Sequence, residues 1–164
     1  MNGPYVGNRA ARLARACARG LTLAEMAIAI AIAALIAFVA VPQYQDYQER
    51  VRVAQAIYEI GDMNFRLQQR LDETRVTPAD LSEIGQQSKK DPWGRTYVYQ
   101  SLAGKGVAGK ARKNKNLVPI NTYFDLYSVG KDGATVAPLT APVSRDDVIL
   151  ANDGRFIGLA RDYE

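Results

Sequence analysis

The chain has 164 residues, enough for one modest domain. Its formal charge of +4 does not mark a nucleic-acid-binding surface: Arg9, Arg12, Arg15 and Arg19 lie among the first twenty residues with no acid beside them, and setting them aside leaves 17 basic residues against 17 acidic ones. The only cysteine, Cys17, is in the same stretch and histidine is absent, so removal of residues 1–20 leaves no disulfide, thiolate nucleophile, Cys/His zinc site or imidazole triad.

Leu21 to Val41 reads LTLAEMAIAIAIAALIAFVAV, 21 residues with one charge, Glu25. At 1.5 Å rise per residue such a helix is about 30 Å long, the thickness of a bilayer core. It exceeds the ~7–15-residue apolar run of a secretory signal peptide, and no clear small-residue cleavage site ends it. Four arginines before it and none within it place the N-terminus in the cytoplasm and export the rest of the chain. An intramembrane carboxylate costs roughly 2.5–3.5 kcal/mol, less near the interface, so Glu25 needs a partner unless it snorkels or takes up a proton. No Lys or Arg in the segment supplies one. Ala29, Ala33 and Ala37, four apart, permit close helix–helix approach or are plain apolar filler.

Pro42 cannot donate to the Phe38 carbonyl, so the helix is expected to bend or loosen there. Apolar spacing then resumes at Val53, Ile57, Ile60, Leu67 and Leu71, interrupted by Asn64, with Glu49, Arg52, Glu59, Arg66 and Arg70 opposite. Gly61 weakens the middle by about 1 kcal/mol relative to Ala. The pattern predicts one helix from about Thr22 to about Glu73, apolar all round in its first half and amphipathic in its second. That second half needs a sheet to cover it. Thr77-Pro78-Ala79-Asp80-Leu81 predicts a capped helical turn, and Asp91-Pro92 a turn before a strand at Thr96–Gln100. Trp93 and Tyr97 are expected in the core, Trp93 at the end of the sheet.

Gly104-Lys105-Gly106-Val107-Ala108-Gly109-Lys110 matches the opening of a phosphate-binding loop, but Ala111 stands where the magnesium-binding hydroxyl belongs. It reads as a loop between strands. Lys105, Lys110, Arg112, Lys113 and Lys115 lack the interleaved aromatics of a nucleic-acid surface, so no nucleic-acid partner is expected. Asn121–Val129 predicts a strand, and Val148-Ile149-Leu150 and Arg155-Phe156-Ile157 flank the hairpin signal Asn152-Asp153-Gly154. The expected fold is α+β: a long N-terminal helix, membrane half plus amphipathic half, packed on a small antiparallel sheet. Asp132, Asp146 and Asp147 would repel one another without a cation if they met. Taken locally, Asp132-Gly133 is a turn and Asp146-Asp147 a solvated loop.

Arg19-Gly20-Leu21-Thr22-Leu23-Ala24-Glu25 resembles the prepilin cleavage motif of the type IV pilin-like family. The resemblance implies cleavage between Gly20 and Leu21, N-methylation of Leu21, and pairing of Glu25, the fifth mature residue, with the Leu21 amine of a neighbouring subunit. Pro42 falls at the twenty-second mature residue, where the family places proline. Leu21 stands where Phe is usual, and the leader is longer than is common. Further on, Asp91-Pro92-Trp93-Gly94 with Tyr97, then Asp125-Leu126-Tyr127-Ser128-Val129-Gly130-Lys131-Asp132-Gly133, then Ser144-Arg145-Asp146-Asp147, is similar in order to the major (G-type) pseudopilin of type II secretion.

That resemblance implies a cleaved basic leader (1–20), a transmembrane and assembly helix (21–41) and a periplasmic pilin-like domain (42–164). It implies a structural subunit, not an enzyme, held single-pass in a bacterial inner membrane with its N-terminus cytoplasmic. The partners implied are further copies of the chain, minor pseudopilins, a prepilin peptidase/N-methyltransferase and the inner-membrane secretion platform. The product is a periplasmic filament that drives protein export. Calcium is the implied cofactor, held by Asp132, Asp146, Asp147 and the carbonyls of Val129 and Ser144. The alternative is a type IV pilin or minor pilin of a surface fibre. Fibre pilins usually brace the C-terminal region with a disulfide, for which this chain has no cysteines beyond Cys17.

Overall fold

A computed structural model of the protein describes residues 21–104 and 109–163. Helix α1 spans Leu23–Thr74 and continues through Pro42, so the proline expected to loosen the helix does not end it. From Leu21 to Tyr44 every side chain is exposed, apolar ones included. In the second half Ala56, Ile60, Met63 and Leu67 are buried, in steps of four, three and four. Val53 and Ile57 pack beside them. Ala56 and Met63 complete the predicted stripe, and Leu71 is only half-buried. The helix closes where the Thr74 hydroxyl donates to the Arg70 carbonyl and Arg75 turns to positive φ.

A short 3-10 turn, Leu81–Ile84, follows. Its cap is Asp80, whose carboxylate accepts from the Ser82 amide at 2.7 Å, within the stretch Thr77–Leu81 expected to form a capped turn. Pro78 lends its carbonyl to the Tyr99 hydroxyl.

Four strands then form one antiparallel sheet in chain order: β1 Val98–Ser101, β2 Phe124–Ser128, β3 Val148–Ala151 and β4 Phe156–Leu159. The registers run Tyr99 opposite Leu126, Ser128 opposite Val148, and Leu150 opposite Ile157. Alternation along the strands sends Phe124, Leu126, Val148 and Leu150 into one core with the buried stripe of α1, Leu81 and Tyr97. The intervening Ile149 and Ala151 enter a second core with Ile120, Leu139 and Ala160, flanked by Tyr127, Phe156 and Tyr163. The sheet is thus covered on both faces. The β3–β4 turn is the expected Asn152-Asp153-Gly154, all three at positive φ. A Cβ on Gly154 would lie 2.5 Å from the Asn64 amide nitrogen, so the hairpin tip sits against the one polar break in the helical stripe.

Candidate functional site

The N-terminus of α1 carries the first candidate site. The Thr22 hydroxyl accepts from the Glu25 amide at 3.2 Å, while the Glu25 carboxylate accepts from the Thr22 amide at 2.8 Å and from the Thr22 hydroxyl at 2.9 Å. This is a reciprocal capping box, and it places a carboxylate at the end of the helix where unsatisfied N–H groups favour negative charge. The partner is neutral and local rather than a cation, and Thr-x-x-Glu before an apolar run is its sequence signature. Leu21 is exposed beside the box. Gly20 and the rest of residues 1–20 lie outside the described residues.

The second candidate site joins two sequence motifs. The Asp91 carboxylate is buried; one oxygen accepts from the amides of Trp93 and Arg95, and the other from the Ser128 hydroxyl of β2. The same Ser128 oxygen accepts from the Gly130 amide. Gly94, at φ 87, makes the turn that L side chains resist. The Trp93 indole donates to Glu49 at 3.2 Å and the Tyr97 hydroxyl to Glu59 at 2.6 Å, tying the segment to α1. Burial first, then the bond to Glu59 and the charges of Glu59 and Asp91, hold the Tyr97 hydroxyl protonated far above the ordinary tyrosine range. The Arg95 guanidinium reaches the carbonyls of Gly130 and Lys131. Trp93, expected to plug the end of the sheet, packs partly buried against the main core.

The residues of the expected calcium set divide. Asp132 and Asp146 meet: the Asp132 amide donates to the Asp146 carboxylate at 3.0 Å, and the Asp132 carboxylate accepts from the Ala134 amide at 2.8 Å. Gly130 has room only for hydrogen, since a Cβ there would fall 2.3 Å from the Asp146 carbonyl oxygen. Asp147 turns inward, fully buried, to the Arg112 guanidinium and the Thr135 hydroxyl. Ser144 spends its hydroxyl on Val136, and its carbonyl accepts the Asp147 amide. Val129 lies between Ser128 and Gly130, half-buried. Among the described residues no three acidic side chains gather in metal-binding geometry: Asp132 and Asp146 meet, and Asp147 stands apart with Arg112.

Arg112, one of the five basic residues expected on the loop between strands, is instead 3% exposed. Its guanidinium also donates to Thr135 and to the Val136 carbonyl, and lies 4.4 Å from the centre of the Tyr127 ring. Its amide donates to Asp125, whose other oxygen accepts from Asn121. Burial pushes the Asp147 carboxyl up to about 6, against the pull of Thr135 and Arg112. Burial likewise raises Asp125, opposed by the Arg112 amide and Asn121. Nothing in the spacing of Arg112, Asp125 and Asp147 announces that they meet. Of the phosphate-loop match, residues 105–108 lie outside the described residues.

The chain is 31% identical over 137 residues to a fimbrial protein of Neisseria meningitidis serogroup A, covering 82% of this chain and 80% of that one. It is 30% identical over 147 residues to the type IV major pilin protein PilE of Neisseria gonorrhoeae, covering 84% and 87%. The type IV major fimbrial protein FimA of Dichelobacter nodosus is 26% identical over 141 residues, covering 81% and 80%. No family profile matches the chain, and no solved structure matches it significantly.

Proposed function

Because the chain belongs to the type IV pilin family, a family of structural proteins and not of enzymes, we propose that it is the subunit of a type IV pilus. The observation that carries this reading is the α1 N-terminus: an exposed apolar stretch up to Val41 whose single carboxylate, Glu25, sits at its very start. In this reading a peptidase cuts between Gly20 and Leu21 and methylates the new amine. The subunit waits in the membrane by its 21–41 segment, N-terminus cytoplasmic, and copies then join through their apolar helices. Glu25 exchanges its capping bonds for the Leu21 amine of a neighbour. Intact-mass analysis of the membrane-extracted protein tests the first step: loss of residues 1–20 and gain of a methyl group are expected, and a mature N-terminus beyond Val41 overturns it. Glu25→Ala tests the second: membrane insertion persists and filaments are lost. Normal filaments from that variant would deny Glu25 a pairing role.

A second reading is the pseudopilin of type II secretion, with minor pseudopilins and an inner-membrane platform as partners. It is favoured by the Asp91–Tyr97 segment and its docking on Ser128–Lys131, since these residues carry the pseudopilin likeness. The relatives named above are pilins and fimbrial proteins, which favours the pilus. Deletion of the gene separates the two: loss of long surface fibres with secretion intact supports the pilus, and the reverse supports the pseudopilus.

A further inference from the structure

The Gly130–Gly133 loop is built around a cation that the chain itself supplies. One terminal nitrogen of Arg95 donates to the Gly130 carbonyl at 2.6 Å and the other to the Lys131 carbonyl at 3.3 Å. Successive carbonyls turned toward one positive centre are what a calcium loop offers its ion. Here a planar guanidinium takes both with its two-pronged fork. The glycines make the room: Gly130 and Gly133 are at φ 64 and 74, and a Cβ on Gly133 would lie 2.6 Å from the Arg95 Cζ, Nε and Nη2. The guanidinium therefore rests on the bare Cα of Gly133.

The arginine is also held in place beforehand. Its amide donates to the Asp91 carboxylate at 2.8 Å and its carbonyl accepts the Asp91 amide at 2.6 Å, so its backbone is clamped on both sides. The acids near the loop are committed elsewhere: Asp146 to the Asp132 amide, Asp132 to the Ala134 amide, and Asp147 to Arg112 and Thr135.

We propose that Arg95 is the resident cation of the Gly130–Gly133 loop, a tethered substitute for calcium that makes the C-terminal loops independent of metal. Lysine could not replace it fully, because a single ammonium on a flexible stem lacks the fork that spans two carbonyls. The chain's only tryptophan, Trp93, is two residues from Arg95 and reports on this turn.

The test uses the full-length protein in detergent, with Trp93 fluorescence followed through thermal unfolding in calcium and in chelator. The wild-type curves are expected to superimpose. Arg95→Gln is expected to lower the midpoint by several degrees, Arg95→Lys to recover less than half of that loss, and Gly133→Ala to reproduce it by displacing the guanidinium. A wild-type midpoint that rises several degrees with calcium overturns the proposal, as does an Arg95→Gln protein that melts like wild type. Should Arg95→Gln not fold, Arg95→Lys and the wild-type calcium comparison decide by the same readouts.

Discussion

The two faces of the sheet are closed by different chemistry. Toward α1 the core is almost wholly apolar, built from Phe124, Leu126, Val148 and Leu150 against Ala56, Ile60, Met63 and Leu67. On the opposite face a smaller apolar cluster adjoins a buried ionic one, in which Arg112 serves Asp147 directly and Asp125 through its amide. An apolar core loses stability in proportion to the atoms removed, because dispersion and transfer terms scale with area. A buried ion pair does not behave so. It adds little over an apolar replacement of both partners, yet losing one partner strands the other's charge in a medium that solvates it poorly.

The largest expected effect follows from that contrast. Arg112→Ala leaves the fully buried Asp147 with only Thr135 as partner and should cost about 3–5 kcal/mol in urea unfolding. Pairing Arg112→Met with Asp147→Leu should cost less than the two single changes summed, by a coupling of about 1–3 kcal/mol. The pair is incompletely satisfied, since Arg112 Nε and Asp147 Oδ1 are buried without hydrogen-bond partners among the described residues, which makes an apolar replacement tolerable. Simple additivity would erase the distinction between the faces.

Next in size, Ile60→Ala and Leu126→Ala remove side chains buried on either side of the main core. Each should cost about 2–5 kcal/mol, depending on how far the cavity collapses. Because the two sides pack in one cluster, the double variant is expected to depart from additivity. A cost below about 0.5 kcal/mol for Ile60→Ala, the size of a typical surface substitution, would detach the helix from the sheet energetically.

The contrast also explains what was readable in the sequence. Steps of four, three and seven at Val53, Ile57, Ile60 and Leu67 found the helical face, and alternation around Phe124 and Leu126 found the strand that meets it, because periodicity is a local consequence of backbone geometry. The ionic face left no such trace. Arg112, Asp125 and Asp147 are 13 and 22 residues apart along the chain, and only the excursion between β1 and β2 and the loop before β3 bring them together. The same holds for the loops. Asp91, Trp93 and Tyr97 were visible as a motif, but the destinations of their polar groups, Ser128, Glu49 and Glu59, are long-range facts. For Asp132, Asp146 and Asp147 shared charge suggested a shared place, whereas burial and Arg112 draw the third away.

The smallest effect at neutral pH sharpens the comparison from within the apolar face. Tyr97 carries one of that face's few polar links, its hydroxyl donating to Glu59. Tyr97→Phe keeps the ring and removes only the bond. Glu59 is not stranded, for Lys89 lies 3.6 Å away and the Gln55 amide donates at 3.1 Å. The loss should therefore be about 1 kcal/mol, well below that of Arg112→Ala. Alkali removes even this loss. The folded Tyr97 is held protonated by burial and by Glu59, so its raised affinity for the proton stabilises the native state fully below the unfolded tyrosine value of about 10, and that stability is lost as pH climbs above it. Each pH unit takes about 1.4 kcal/mol from wild type through this group and nothing from Tyr97→Phe. Other tyrosines and lysines titrate in both proteins and leave the difference untouched. Urea unfolding of the two proteins between about pH 8 and pH 11 should show the wild-type advantage shrinking to nothing near pH 11. Parallel curves across that range would mean that the Tyr97 hydroxyl is free to ionise in the fold, and that the link to Glu59 is not buried as the geometry has it.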